Sequence, residues 1–221
     1  MAITALRSRI SLNGLAFALH RLRQRIAALI AYTTDWALFI GMVLILGLGS
    51  SWYMIERGSS LTTVTVGPWV SWTSAGRPDA DPYTRAHEAR LGILPLSSAI
   101  AQTFMATADF EGRPLHSSCE YLVEGHELPG YWWSLAVYDA GGRLIPNTLN
   151  RYSFTSDTIA IKPNGSYVTI LSRDATPGNW IPIGGAGRLT LVFTVIDLDT
   201  RTVTQDGEIE GMVPTITRQG C

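Results

Sequence analysis

The residues that invite a chemical reading are aromatic, amide and guanidinium groups gathered in two stretches. Trp132 and Trp133 lead to Asn147, Asn150, Arg151 and Tyr152, and Asn179-Trp180 follows in a loop bounded by glycine and proline. Flat aromatic rings stack on sugar faces, while amide and guanidinium donors make paired hydrogen bonds to hydroxyls or carboxylates. The candidate ligand-binding set is Trp132, Asn147, Arg151, Tyr152, Asn179 and Trp180, with Arg151 in NRYS as its pivot. If loops at one end of a sandwich converge, the two stretches form one pocket. The competing reading is structural. Trp and Tyr then fill a core, Asn shapes turns, and Arg151 neutralises an acid such as Asp139 or Asp157.

Other chemistries find less support. The sequence has no G-x-S-x-G elbow and no S-x-x-K at a helix start, and Ser134 in WWSL reads as a strand residue. Asp197-x-Asp199 and Asp206-x-Glu208-x-Glu210 are paired acids of the kind that hydrolyse glycosides at suitable separation, but such acids at strand ends are more often solvated. The stretch 184–187 lacks the Lys-Ser/Thr of a phosphate loop and leads into a strand. His116, Cys119 and His126 fit no standard zinc spacing. No catalytic residue, metal or cofactor is assigned, and whether the chain is an enzyme stays open. Cys119 and Cys221 are the only cysteines. In an oxidising compartment they would pair and tie down the tail; the alternative is one buried and one exposed free thiol.

The stretch that must position all of this is 36–55, WALFIGMVLILGLGSSWYMI, which carries no charge. At about 1.5 Å per residue a helix of this length spans a hydrocarbon core of about 30 Å. Trp36 at one end, with Trp52 and Tyr53 at the other, sit like interfacial anchors. Arg7, Arg9, Arg21, Arg23 and Arg25 precede it against Asp35 alone, which places the N-terminus inside and the domain outside: an inner-membrane, single-pass, periplasmic arrangement. A cleaved signal peptide is the competing reading, with a weak small-residue site at Gly47, Gly49 and Ser50. Residues 12–30 repeat Leu, Ala and Ile at helical spacing opposite Arg21, Gln24 and Arg25, the pattern of an amphipathic helix in the headgroup plane. Residues 1–35 are thus a basic cytoplasmic tail, 36–55 the span, 56–66 a tether and first strand, and 67–221 the domain. The 17 basic and 18 acidic residues leave no basic face for nucleic acid.

Beyond Glu56 the signals turn to β. Residues 61–66 alternate Thr with Leu or Val until Gly67-Pro68-Trp69 breaks the run. One helix is well signed: Asp81 as N-cap, Pro82 at its first position, Gly92 at its end. Residues 96–108 fit helix or strand. Strands are expected at 118–124, 131–138, 158–161, 167–171 and 189–197; 162–166 makes a hairpin turn between the third and fourth. In 131–138, Tyr131, Trp133, Leu135 and Val137 share one face. Apolar groups on the other face as well mark a central strand or one covered on both sides. The sum is a mainly β domain, an antiparallel jelly-roll-like sandwich with one or two short helices.

GPW at 67–69, ADPYTRA at 80–86, LP at 94–95, WWSLAVYD at 132–139, LIPN at 144–147, RYSF at 151–154, NGSY at 164–167 and GNWIP at 178–182 resemble the family named domain of unknown function 1214 (DUF1214). The resemblance runs from about residue 66 to 199. It implies an all-β, jelly-roll-like fold and, in short members, an N-terminal membrane segment. It implies no activity, and the companion domain of longer members (domain of unknown function 1254) has no room here. The expected function is a membrane-anchored periplasmic module that binds an envelope glycan or small polar ligand without catalysis, with the lipid bilayer and other envelope proteins as partners. A structural subunit of an envelope complex and a carbohydrate-active enzyme on a jelly roll are the alternatives.

Overall fold

The computed structural model describes residues 2–197 and 211–221, with side chains described for 17–196 and 211–221. The acids from Asp199 to Glu210, and the side chains of Asp197, Arg7, Arg9, Leu12, Leu15 and Ala16, lie outside the described residues. The chain divides into two units, Met1–Tyr53 and Met54–Cys221.

The first unit is helix. α1 (Ala2–Arg57) runs unbroken from the amphipathic stretch through the uncharged one and ends four residues into the second unit. From Phe17 to Arg57 it is long and apolar enough to cross a membrane, and none of its apolar window is buried in protein. That exposure separates it from the core helix of a soluble protein, whose apolar face is covered. It is compatible with a single-pass anchor. Tyr32, Trp36 and Phe39 meet edge to face at one end of the uncharged run, and Trp52 and Tyr53 stand at the other.

The second unit is two packed sheets. Its strands are β1 (Thr63–Val66), β2 (Trp69–Trp72), β3 (Ala101–Ala106), β4 (Glu120–His126), β5 (Tyr131–Asp139), β6 (Ser153–Thr155), β7 (Ser166–Ser172), β8 (Asn179–Pro182), β9 (Leu189–Asp197) and β10 (Thr215–Gly220). Six form one sheet in the order β1-β2-β3-β9-β5-β6, and four form the other, β10-β4-β7-β8. Alternation supplies the core: Trp133, Leu135, Val137, Leu191, Phe193 and Val195 from the large sheet meet Tyr121, Val123, Tyr167, Leu171 and Ile216 from the small one. β5 is interior, between β9 and β6, as its two apolar faces require.

α2 (Pro82–Leu91) begins and ends where the sequence indicates. Asp81 Oδ1 accepts from the Tyr83 and Thr84 N–H groups at 2.9 and 3.0 Å, and Gly92 closes the helix at φ 65°. Within 96–108, Ala101–Ala106 is strand, as β3, and residues 96–100 are loop and turn.

Three expectations change. Segment 158–161 is not a strand. The Asn179 side chain takes both ladder groups of Ala160, accepting its N–H at 2.8 Å and donating to its carbonyl at 2.9 Å, so an amide stands where a neighbouring strand would. The strand in that region is β6, which begins within RYSF and ends at Thr155. The loop around Asn179-Trp180 is instead β8, and it pairs with β7 in parallel, so the sandwich is not wholly antiparallel. The 173–178 connection steps back only a few residues along β7, which suffices for a strand of four.

Candidate functional site

The structure brings Arg151 and the Asn179-Trp180 segment together. Arg151 Nη1 donates to the Trp180 carbonyl at 3.3 Å, and its guanidinium lies 5.9 Å from the centre of the Phe154 ring. Among the described residues no carboxylate lies within ion-pair distance of Arg151. Asp157 accepts the Trp132 indole N–H at 2.9 Å, and Asp139 accepts the backbone N–H groups of Gly141 and Arg143.

Most of the remaining candidates are committed to the fold. Asn147 organises its own loop, accepting from Leu149 and Arg151 N–H and donating to the carbonyls of Ile145 and Arg151. Asn150, at φ 50°, accepts the Tyr152 hydroxyl at 3.1 Å. Asn179 is buried and adds a donation to Val168 to its two bonds with Ala160. Trp180 is only 9% exposed, and its indole N–H goes to the Ser172 carbonyl. A buried indole offers no stacking platform. What stays available at this end is the rest of the Arg151 fork beside the half-buried Tyr152.

A second place has more open space. A cleft of about 510 Å³ lies over one end of β4 and β7, lined by Glu124, His126, Lys162, Asn164, Ser166 and Tyr167, with segment 211–215 beside it. Pairing of β4 with β7 sets Glu124 opposite Val168, Gly125 opposite Tyr167 and His126 opposite Ser166. Period-two alternation therefore turns Glu124, His126 and Ser166 to the outer face and Tyr167 to the core. Lys162, the chain's only lysine, is held in the turn before β7, where its N–H and the Gly165 N–H close two short bonds.

Tyr167 is the unusual member. The residue is 1% exposed and its ring stacks on Trp133, with centroids 4.6 Å apart and planes at 22°. Its ring and hydroxyl lie directly over Gly125, so close that a Cβ there would fall 2.4 Å from both. The hydroxyl makes no hydrogen bond to any described residue. Burial pushes the phenol pKa above the ordinary tyrosine value, so it stays a neutral donor and acceptor. Sequence reasoning passed over this group because it ended the expected strand at residue 124, one short of Gly125. The available signal was a glycine between Glu124 and His126, since glycine inside a strand marks a close approach.

The cysteines meet. Cys119 and Cys221 are joined by a disulfide across 102 residues. His116 Nδ1 lies 2.8 Å from Ser118 Oγ, and the described residues hold no group of three acids, histidines or cysteines arranged for a metal. Asp109 is buried between two arginines: Arg113 Nε donates to it at 2.9 Å, and Arg218 Nε stands 3.2 Å away. Burial raises its pKa, but the N–H groups of Arg113 and the two positive charges outweigh that and hold the carboxyl below the usual range.

Comparison with known proteins follows the same division. The family model described as "Protein of unknown function (DUF1214)" matches residues 100–199. The match covers a little under half of the chain, and over that segment the sequence is similar to the family. That segment takes in β3 to β9, and so WWSLAVYD, RYSF, NGSY and GNWIP; GPW and ADPYTRA lie before it. No curated protein matches the chain. Among solved structures, the VPA0106 protein from Vibrio parahaemolyticus is similar over 78% of this chain, at 20% identity and a TM-score of 0.54. The likeness covers 42% of that protein, so this chain spans less than half its length, and at that identity it speaks to fold alone. An uncharacterised protein from Burkholderia cenocepacia matches over 84% of this chain and 49% of its own, at 16% identity and a TM-score of 0.34.

Proposed function

We propose that this chain is a single-pass, membrane-anchored module that binds a small polar, sugar-like ligand without catalysis, its β domain facing the periplasm. The observation that carries the reading is the cleft of about 510 Å³ over one end of β4 and β7, lined by Glu124, His126, Lys162, Ser166 and Tyr167. A neutral phenol, a hydroxyl and an imidazole both give and take hydrogen bonds. Lys162 and Glu124 add one charge of each sign, a set that suits a polyol better than a purely anionic ligand. The arginine excess before residue 36 supports the orientation.

Thermal shift of the full chain in detergent, against a panel of sugars, sugar acids and polyols, tests the binding. A ligand at a hundredfold excess over its Kd adds about 2.7 kcal/mol, or a Tm rise of about 5–10 °C for a domain of this size. Tyr167→Phe and Lys162→Met should each remove the shift, while Arg151→Ala should keep it. Loss of the shift in Arg151→Ala alone moves the site to the other end of the domain. A panel with no active member removes the reading. Protease added to spheroplasts should digest the β domain and spare an N-terminal tag; protection until lysis would reverse the topology.

A further inference from the structure

An 18-residue stretch from Leu91 to Ala108 contains no charge. Its first half lies on the surface: Leu91, Ile93, Leu94, Leu96 and Ile100 are all exposed, Leu94 completely. Leu61, on the turn before β1, is 87% exposed. Single exposed leucines are common, but a group of six is of the kind that marks an interaction surface.

The backbone beneath these side chains is fixed. The Ser98 N–H donates to the Ala75 carbonyl at 2.8 Å, and the Ile93 N–H returns to the Glu88 carbonyl at 3.2 Å. Gly76, at φ 63°, lies under the loop so closely that a Cβ would come 2.7 Å from the carbonyl oxygens of Pro95 and Leu96. The Gly76 N–H is itself held by Glu88 Oε1 at 2.9 Å. The loop therefore presents its leucines outward on a fastened frame.

The same end of the domain holds the last turn of the long helix. Met54–Arg57 belongs to the β unit, and there Arg90 pairs with Glu56, and His87 Nδ1 lies 2.8 Å from the Ile55 carbonyl. His87 stacks on Trp72 at 4.3 Å, and the Thr73 N–H next to it reaches the Thr62 carbonyl beside Leu61. Leu91 is thus next to the residue that grips Glu56. Leu61 is four residues past Arg57, no more than about 14 Å of chain. Glu56 and Arg57 are the first charges after the uncharged span, so the bilayer boundary falls beside them.

We infer that the 91–100 loop and Leu61 form a membrane-contact surface that seats the domain on the bilayer from which its anchor emerges. This rests on the anchored reading above. The occupant is the interfacial zone of the lipid, where leucine and isoleucine side chains leave water while the pinned backbone stays hydrated. The surface is distinct from the cleft and makes the domain a seated body rather than one swinging on a tether.

The test places the photo-crosslinking residue benzoylphenylalanine in the full chain, reconstituted alone into phosphatidylethanolamine/phosphatidylglycerol vesicles. Leu94 probes the surface, Leu44 the span, and Ala140, in the turn at the far end of β5, the opposite pole. Lipid adducts are expected at 94 and 44, with at least tenfold less at 140. An adduct at 44 without one at 94 overturns the inference and leaves the anchor standing. Absence at both removes the anchored reading too. A cross-linked dimer from 94 in place of lipid also overturns the inference, assigning the surface to a second copy. Adding Leu94→Glu to a chain probed at Leu96 should cut its lipid adduct severalfold, and no change there counts against the proposal.

Discussion

Gly125→Ala offers the sharpest test of the packing of Tyr167 between β4 and Trp133. Only one methyl is added, in a strand where alanine is conformationally acceptable, so backbone strain contributes little. The new Cβ falls 2.4 Å from the Tyr167 Cζ and hydroxyl oxygen. Carbon contacts become favourable near 3.5–4.0 Å, so the ring or the strand must give way by about 1 Å. The ring cannot retreat freely, because Trp133 stacks on its face and is itself 1% exposed against Phe193. Overpacking of this kind costs about 1–3 kcal/mol, and the rigid wall argues for the upper half. Tyr167→Leu alone leaves a cavity, at a cost of about 2–4 kcal/mol by analogy with other large-to-small changes. In that background the added methyl meets no ring, and Gly125→Ala should cost less than about 0.5 kcal/mol. A double-mutant cycle by denaturant unfolding of the full chain in micelles, followed by tryptophan fluorescence, should therefore show about 2 kcal/mol of coupling. A neutral Gly125→Ala in the unmodified chain, or an equal cost in both backgrounds, would refute the argument.

Acid should weaken the domain through Asp109 and Asp81. At Asp81, as at Asp109, burial raises the pKa but is outweighed, here by donations from Thr84, Ser74 and Tyr83. Both folded-state values lie below the unfolded one of about 3.9, so the stabilisation is present above pH 4 and is lost as pH falls through the folded values. Denaturant midpoints measured from pH 5 to pH 2.5 should fall, and Asp109→Asn should flatten part of that slope while lowering stability at pH 7. Reducing the Cys119–Cys221 bond releases a 102-residue loop, for which chain entropy gives about 4.7 kcal/mol as an upper figure. Hydrogen exchange should accelerate first in β10, an edge strand paired only with β4, and unchanged exchange at 215–220 would contradict this.

What could be read from the sequence was local. Asp81-Pro82 and Gly92 bound a helix by chemistry contained within two turns, and 189–197 and 131–138 carry their alternation in consecutive residues. The strand content, the two-layer core and the DUF1214 resemblance follow from such runs. What escaped was decided by partners far along the chain. Residues 158–161 look like a strand until Asn179, 19 residues on, occupies their ladder. Asn147 and Asn179 have the donor chemistry of a binding site, but nothing in their spacing shows that every donor is already spent on backbone. Tyr167 gains its character from Gly125 and Trp133 together, a three-body fact that no single window contains.

The borders of the two sheets have a consequence of another kind. β1 has four residues and β6 three; β8 has four and closes on Pro182, and β10 breaks register between Arg218 and Gly220. A long, straight border would be a template on which a neighbour's chain could add a strand. Domains held in one plane collide far more often than the same domains free in solution, so such templates are most dangerous on a membrane. Among the described residues, no border offers more than a few aligned peptide groups. On the anchored reading proposed above, neighbouring copies crowd together without zipping into fibres, and their encounters are left to side chains.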